Sequence, residues 1–445
     1  MTYSRWAEIE EIINNTTQVS YDSNIKKSGI EIMYDDNHLY INDKEGHNLV
    51  VGTTGSGKTQ ATLLPQIRLA IKANESFVVN DVQGEIYERI SGELQKQNYK
   101  LYVLDLEDGK RGNNYNPFSV PYKLYMNNER DKALDMIENI AYYFLATDKM
   151  NPNVDPFWEN SAISLFVGLT IYLFEHAKEE EININSITYL VNYLDDLTEE
   201  LKQADKNSLI YTNLASIVFA PPETKGSIIS VFSQKIKLFT NRESITKVLS
   251  ATNIDIENIQ KEKTAIFLIN SNKAVSRSIV PLIIDQAANI ALMNGNIERR
   301  LNVYIDDFET LKAIKEFNNL LTISRSHNIR FNIYIKSLLE LDNTYGKEES
   351  DLLKMSFANI IYLLANDQET LEQISRLCGR KDENTPLITI EELKRLDFFE
   401  AIILSPRMYP IKTKLLPDYK IDWNFDNTIV PIRELEFTEI KVYNK

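Results

Sequence analysis

The stretch that decides the fold is "NLVVGTTGSGKTQATLLPQI", residues 48–67. Its apolar run from Leu49 to Val51 predicts a buried strand. The residues from Gly52 to Thr59 fit the pattern of Gly, four residues and Gly-Lys-Thr, and a helical pattern follows. The order of strand, loop and helix predicts a phosphate-binding loop. The alternative is a chance match of a Gly/Ser/Thr-rich loop, which the flanking strand and helix disfavour.

The residue types in this loop suit a nucleoside triphosphate with Mg²⁺. Glycines let consecutive backbone N–H groups turn toward the phosphates, and the following helix adds its positive N-terminal end. Lys58 can reach the β- and γ-phosphates, and the Thr59 hydroxyl can bind Mg²⁺. We therefore predict ATP and Mg²⁺ as cofactors, with Lys58 also catalytic. The predicted nucleotide-binding residues are Gly52, Thr53, Thr54, Gly55, Ser56, Gly57, Lys58, Thr59 and Gln60.

Composition, net charge and cysteine count limit the classes of function that this chain can have. The 445 residues are 43% apolar and 25% charged, which is ordinary for a globular chain of two or three domains. The formal net charge of −15 argues against a general attraction to nucleic acid, so any such contact must be local. Cys378 is the only cysteine, which excludes an internal disulfide and a Cys-built zinc site.

No apolar run in the sequence is long enough to predict a membrane-spanning helix. The longest apolar run, Ser161 to Phe174, has 14 residues between two glutamates, whereas a spanning helix needs about 20. This run predicts a buried helix.

The first residues, Met1 to Glu11, lack the apolar region of a secretory signal. We expect a cytoplasmic protein that reaches a membrane only by docking.

Strand patterns occur on both sides of a long helical region, which predicts a split nucleotide-binding domain. The expected fold is α/β, with a mostly parallel sheet and an inserted all-α domain. The predicted boundaries are 1–28 for an N-terminal segment, 29–120 for the first part of the nucleotide-binding domain, 121–262 for the all-α domain, and 263–445 for the second part.

A second motif, "LNVYIDDFETL" at residues 301–311, has an apolar strand that runs into two acids. Asp306 is the predicted Mg²⁺ residue, and Asp307 stands where nucleotide-hydrolysing motors usually carry Glu. An Asp side chain is one methylene shorter, whereas a catalytic base must approach its water to about 2.6–3.2 Å. We expect ATP to bind, with slow hydrolysis or hydrolysis only in an assembled ring, unless the backbone compensates.

Asp81 follows another predicted strand, Phe77 to Val79. At this edge of the sheet it could face the nucleotide. It could equally cap the helix that follows.

The motifs, taken in order, resemble the type IV coupling proteins, the TraG/TraD class of conjugation and type IV secretion. Besides the phosphate loop, the similar segments begin "NDVQGEIYERISGE" at Asn80, "DPFWENSAISLF" at Asp155, "VYIDDFETLKAI" at Val303 and "LLANDQETLEQI" at Leu363. The resemblance covers nearly the whole chain. It implies a RecA-like P-loop ATPase that forms a homo-hexameric ring around a channel.

The resemblance also implies roles for single residues. Asp306 would organise Mg²⁺, Asp307 would be the catalytic base, and Arg325 would reach a neighbour's nucleotide, although a solvated helix-end arginine is the open alternative. Two positions depart from the family. Lys336 replaces a glutamine that senses the γ-phosphate, and Gln83 replaces a lysine. A lysine could bind phosphate charge but cannot accept a hydrogen bond.

Three functions compete at this stage. The first is a coupling ATPase that delivers relaxase-bound single-stranded DNA, or a protein, to a type IV secretion channel. The second is a nucleotide-binding receptor with weak or no hydrolysis, and the third is a DNA motor outside secretion. Most of the family begins with transmembrane helices, so we expect a separate membrane anchor protein and a peripheral location at the inner face of the cell membrane.

One basic run in this acidic chain is a candidate DNA contact. It extends from Lys225 to Lys247 and includes Phe232 and Phe239. The alternative is an amphipathic helix with a solvated basic face.

Overall fold

The computed structural model describes residues 3–21, 23–107, 109–147, 155–271, 273–295, 297, 299–436 and 439–444. The chain divides into two compact units. The first unit comprises residues 1–101, 256–268 and 287–431, and the second comprises residues 102–255, 269–286 and 432–445.

The strands form two sheets within the described residues. A small antiparallel sheet has the order β1-β3-β2, and the main sheet has nine strands in the order β12-β11-β10-β4-β9-β8-β5-β7-β6. The strands are β1 Thr17–Ser20, β2 Ile30–Tyr34, β3 His38–Asn42, β4 His47–Gly52, β5 Ser76–Val82, β6 Lys100–Asp105, β7 Thr264–Asn270, β8 Leu301–Ile305, β9 Ile329–Ile335, β10 Phe357–Leu364, β11 Glu400–Leu404 and β12 Ile411–Lys414.

Parallel pairing dominates the main sheet. Strands β10, β4, β9, β8 and β5 pair parallel in that order, whereas β11 and β12 pair antiparallel at one edge. Strands β4, β8 and β9 are buried along their whole length, because apolar side chains from both faces pack into the core. This architecture confirms the predicted α/β fold with a mostly parallel sheet.

The register of three strands fixes the position of the site. Val51 of β4 pairs with Ile335 of β9, and Ile305 of β8 pairs with Ile333 of β9. The carboxyl ends of these strands therefore meet at one edge of the sheet, where ligands of open α/β sheets bind.

The helices complete both units. They are α1 Ile9–Asn15, α2 Leu64–Lys72, α3 Glu85–Lys96, α4 Ser119–Met126, α5 Arg130–Leu145, α6 Phe157–His176, α7 Ile184–Val191, α8 Leu197–Gln203, α9 Leu209–Val218, α10 Pro222–Thr240, α11 Glu243–Val248, α12 Ser276–Met293, α13 Phe317–Ser324, α14 Leu338–Tyr345, α15 Lys347–Ser356, α16 Gln368–Cys378 and α17 Ile390–Leu393.

Helix α6 is the one described helix whose length and composition would allow it to cross a membrane. Most of it is buried in the second unit, including the run from Leu165 to Phe174. Burial of that run agrees with the predicted core helix.

The basic run from Lys225 to Lys247 forms α10 and α11. Phe232 and Phe239 are fully buried, so neither ring is available to stack on a nucleic-acid base. Lys235 donates to Glu159 across 2.6 Å. The amphipathic-helix alternative therefore describes this segment, with its aromatic residues in the core of the second unit.

We predict that Phe232→Ala lowers the free energy of unfolding by about 3–5 kcal/mol, because it removes a fully buried aromatic side chain. Thermal and denaturant unfolding would measure the change. Lys237→Ala, at an exposed position of the same helix, is the control and should change stability by less than about 0.5 kcal/mol. Weakened DNA binding by Phe232→Ala with unchanged stability would contradict this assignment.

Candidate nucleotide-binding site

Glycines shape the loop between β4 and the next helix. Gly55 and Gly57 have φ angles of +80° and +88°, in the left-handed region that favours glycine. A Cβ atom at Gly52 would lie 2.4 Å from the Ser56 hydroxyl oxygen, and one at Gly57 would lie 2.7 Å from the Phe399 ring. Gly55 is therefore needed for backbone conformation, Gly52 for packing, and Gly57 for both.

The polar groups of the loop suit a phosphate ligand. The Ser56 hydroxyl is buried and has no hydrogen-bond partner among the described residues. The Lys58 ammonium group is also buried and donates to the Gly52 carbonyl inside the loop. A buried donor without a partner and a buried cation fit the phosphates of a nucleotide.

The helix after the loop begins with a wide turn. Residues Thr59–Leu63 form a π-helical turn, and the Leu64 N–H donates to the Thr59 carbonyl five residues back. Pro65 follows in the first turn of α2 and has no N–H of its own to donate. Such π-helical turns are frequent at functional sites.

Asp306 lies directly after β8 and is half-buried. Burial and the neighbouring charge of Asp307 raise its pKa to about 6, while the Lys58 ammonium acts in the opposite direction. A divalent cation would favour the ionised carboxylate, so Asp306 and the Thr59 hydroxyl fit as Mg²⁺ ligands alongside phosphate oxygens.

No group of three or more His, Cys, Asp or Glu side chains within the described residues is arranged to hold a metal ion. This agrees with a cation held largely by phosphate and water.

Asp307 adopts an unusual backbone conformation. Its φ angle is +47°, and its N–H donates to the Asp306 carboxylate across 3.0 Å. Asp tolerates this left-handed conformation better than most residues. The left-handed turn redirects the side chain from the line of the strand, so side-chain length alone does not set the reach of this carboxylate.

Lys336 follows β9, the strand between β4 and β8. Its Nζ atom lies 2.5 Å from Glu309 Oε1 and 3.4 Å from Asp307 Oδ1. Burial opposes the protonated form, but the hydrogen bond and charge of Glu309, together with Asp307, outweigh it and raise the pKa of Lys336. Lys336 thus remains charged and binds two acids of the site.

Three residues of this site were missed from the sequence. Glu309 is the third acid of "DDFETL", and that spacing was the available signal. Asn80 donates to the Asp306 carbonyl across 2.7 Å, and Asn366 donates to the Thr53 hydroxyl across 3.4 Å. Isolated asparagines at strand ends carry no sequence signal that would connect them to the loop.

Asp81 acts as a helix cap. Its carboxylate accepts the backbone N–H groups of Ile86 and Tyr87 at 3.0 and 2.8 Å, in the first turn of α3. Burial raises its pKa to about 7. Of the two alternatives from the sequence, the capping role is the one with observed contacts.

Gln83 and Arg325 lie at opposite edges of the main sheet, since Gln83 follows β5 and Arg325 precedes β9. Gln83 is exposed and has a φ angle of +68°. Arg325 is exposed and lies shortly before β9 begins, at the edge of the sheet opposite to the phosphate loop. Arg325 therefore does not join the site of its own chain.

Comparison with known proteins agrees with this geometry. The family described as "Type IV secretory system Conjugative DNA transfer" matches residues 5–385. The chain belongs to this family. Its membership confirms the predicted role as a coupling protein in conjugative DNA transfer. No curated protein matches the chain.

Solved structures show the same fold. The plasmid coupling protein TrwB in complex with ADP and Mg²⁺ is 16% identical, with a TM-score of 0.71 and coverage of 97% of both chains. TrwB with the ATP analogue ADPNP is 17% identical, with a TM-score of 0.71 and coverage of 98% of this chain and 97% of TrwB. VirB4 of Thermoanaerobacter pseudethanolicus is 13% identical, with a TM-score of 0.58 and coverage of 89% and 98%. These matches confirm the RecA-like fold.

We predict that Lys336→Met lowers the free energy of unfolding by about 1–3 kcal/mol, because it leaves the mostly buried Glu309 without its cation. Denaturant unfolding would measure this change. The double variant Lys336→Met/Glu309→Gln should recover most of the loss, since no buried carboxylate is left unpaired. Equal stability of the single variant and the wild type would show that the ion pair contributes nothing.

Proposed function

We propose that this chain is an ATP-dependent coupling protein that delivers relaxase-bound single-stranded DNA, or a protein, to a type IV secretion channel. The observation that carries the proposal is the phosphate loop, with a buried Lys58 and a Ser56 hydroxyl that has no partner among the described residues, in a member of the conjugative DNA transfer family. The same membership disfavours a DNA motor outside secretion.

Each site residue would have a separate role in nucleotide binding or hydrolysis. The loop from Gly52 to Gln60 would bind the triphosphate, with Lys58 on the β- and γ-phosphates. Thr59 and Asp306 would hold Mg²⁺, which when bound neutralises charge on the phosphates. Asp307 would orient the attacking water and accept its proton. Lys336 holds Asp307 by an ion pair, which limits the freedom of that carboxylate.

We predict that the wild type binds ATP and turns it over slowly, that Lys58→Ala abolishes turnover, and that Asp307→Glu raises it about 10-fold. The longer side chain of Glu brings the base closer to its water, and a displacement of about 1 Å can change a rate about 100-fold. Steady-state phosphate release with and without single-stranded DNA would measure this. Fast wild-type turnover that Asp307→Glu slows would refute the argument from reach.

The second candidate is a nucleotide-binding receptor of the same system with weak or no hydrolysis. The contact between Lys336 and Asp307 at 3.4 Å favours it, because an ion pair restrains the carboxylate that would have to orient the water. The rate of ATP hydrolysis distinguishes the coupling ATPase from the receptor. A receptor would bind ATP and its substrate protein, yet single-stranded DNA would not raise its turnover in any assembly state.

We further propose a homo-hexamer in which Arg325 acts on the nucleotide of a neighbouring copy. Arg325 is exposed and remote from the phosphate loop of its own chain, so only another copy can bring it to a γ-phosphate. An arginine supplied in this way stabilises charge that develops during phosphoryl transfer.

We predict that Arg325→Ala and Lys58→Ala are each inactive alone and that their mixture regains part of the wild-type turnover. In a mixed ring, an Arg325→Ala copy keeps an intact phosphate loop, and a Lys58→Ala neighbour supplies the arginine. Phosphate release by the mixture, assembled on single-stranded DNA, is the measurement. A mixture as inactive as its components would exclude the action of Arg325 between copies.

The remaining partners follow from the proposed role. They are type IV secretion channel proteins and a separate membrane anchor protein that would hold the chain at the inner face of the cell membrane. Cell fractionation with and without the other proteins of the secretion system would test this location.

A further inference from the structure

Two exposed aromatic side chains lie beside the phosphate loop. Phe398 is 60% exposed and Tyr419 is 64% exposed. We call this pair the aromatic shelf. Phe398 lies two residues before β11, which is antiparallel to its neighbours and therefore begins at the edge of the sheet where the phosphate loop lies. Large aromatic residues left in water at a ligand site indicate a contact that the chain alone does not make.

The distance to the loop is short. A Cβ atom built on Gly57 would lie 2.7 Å from the Phe399 ring and 3.7 Å from the Phe398 ring. Phe399 is buried against Gly57, and its φ angle of +67° turns the chain so that the adjacent Phe398 remains exposed. The centroids of the two rings lie 4.1 Å apart, with the ring planes tilted by 48°, and both rings lie against the loop at Gly57.

Buried contacts fix the shelf to the phosphate-loop helix. The Leu415 N–H donates to the Phe399 carbonyl across 2.9 Å, which joins the Phe398 segment to the one that carries Tyr419. Asp418, the neighbour of Tyr419, accepts from Arg68 of α2 at 2.7 Å and from Trp423 at 2.9 Å. Because Arg68 and Asp418 are both buried, the shelf is held in a fixed position relative to the helix that follows the loop.

We propose that the aromatic shelf is the platform on which the base of the bound nucleotide stacks. This inference rests on the proposed function, since it assumes that the loop binds the phosphates. A base is a planar π-system, and every base offers such a face, so stacking would provide affinity without choosing among bases. The site would thus accept nucleoside triphosphates as a class, with ATP and GTP binding within a few-fold of each other.

The test compares a ligand that has a base with one that has none. Calorimetric titration would give the Kd of ADPNP and of inorganic tripolyphosphate, both with Mg²⁺. Phe398→Ala should weaken ADPNP binding about 10-fold and leave tripolyphosphate binding unchanged. Phe398→Trp should retain ADPNP affinity, because a larger ring preserves the stacking surface. Phe219→Ala, at an exposed aromatic residue of the second unit, is the matched control and should change neither Kd.

Other outcomes would overturn the inference. Unchanged ADPNP affinity in Phe398→Ala would exclude the platform, and an equal loss for both ligands would show that the ring only supports the loop. A change in sedimentation with unchanged affinity would assign the shelf to contacts between copies. If the wild type binds neither ligand and Lys58→Ala alters nothing, the proposed function itself fails. If the wild type binds both ligands equally, only the shelf proposal fails.

Discussion

The parallel pairing of β4, β9 and β8 is the constraint on which the site depends. Neighbouring strands of a sheet lie about 4.8 Å apart, so the ends of β4 and β8 are about 10 Å apart, with the end of β9 between them. This spacing suits a loop that holds phosphates on one side and a carboxylate that holds a cation on the other. The burial of all three strands keeps the register fixed, because a shift by one residue would turn the apolar side chains out of the core.

The same strand pairing brings Lys336 to the acids that follow β8. The charges at the site therefore change although the fold does not. The place of Lys336 at the end of the central strand β9 puts its ammonium group within reach of the acids after β8. The cation stabilises Glu309, which is mostly buried, and contacts Asp307. Phosphate binding and the handling of water are thus separate properties here. The loop carries groups that suit the first, and Lys336 contacts Asp307, the acid that we propose for the second.

The predictions from sequence succeeded where a local pattern carries a physical rule. The conformation of the loop from Gly52 to Thr59 was predictable because its glycines permit a tight backbone turn within a short segment, and its binding of phosphate stays a prediction. The sequence of strands gave the sheet type, and the order of the motifs gave the family. The basic run from Lys225 to Lys247 left two alternatives, because composition does not reveal which face of a helix is buried. Burial of Phe232 and Phe239 decided between them.

The sequence by itself therefore determined the fold class, the phosphate loop and the acid after β8, because each is encoded in neighbouring residues. Only the tertiary structure decided that Asp81 caps a helix, that Lys336 pairs with Glu309, and that Phe398 and Tyr419 lie beside the loop. These contacts join residues that are remote in the chain, such as Gly57 and Phe399. Neither hydrophobic periodicity nor motif spacing in the sequence predicts such a contact, because it depends on the order and register of strands in the folded sheet.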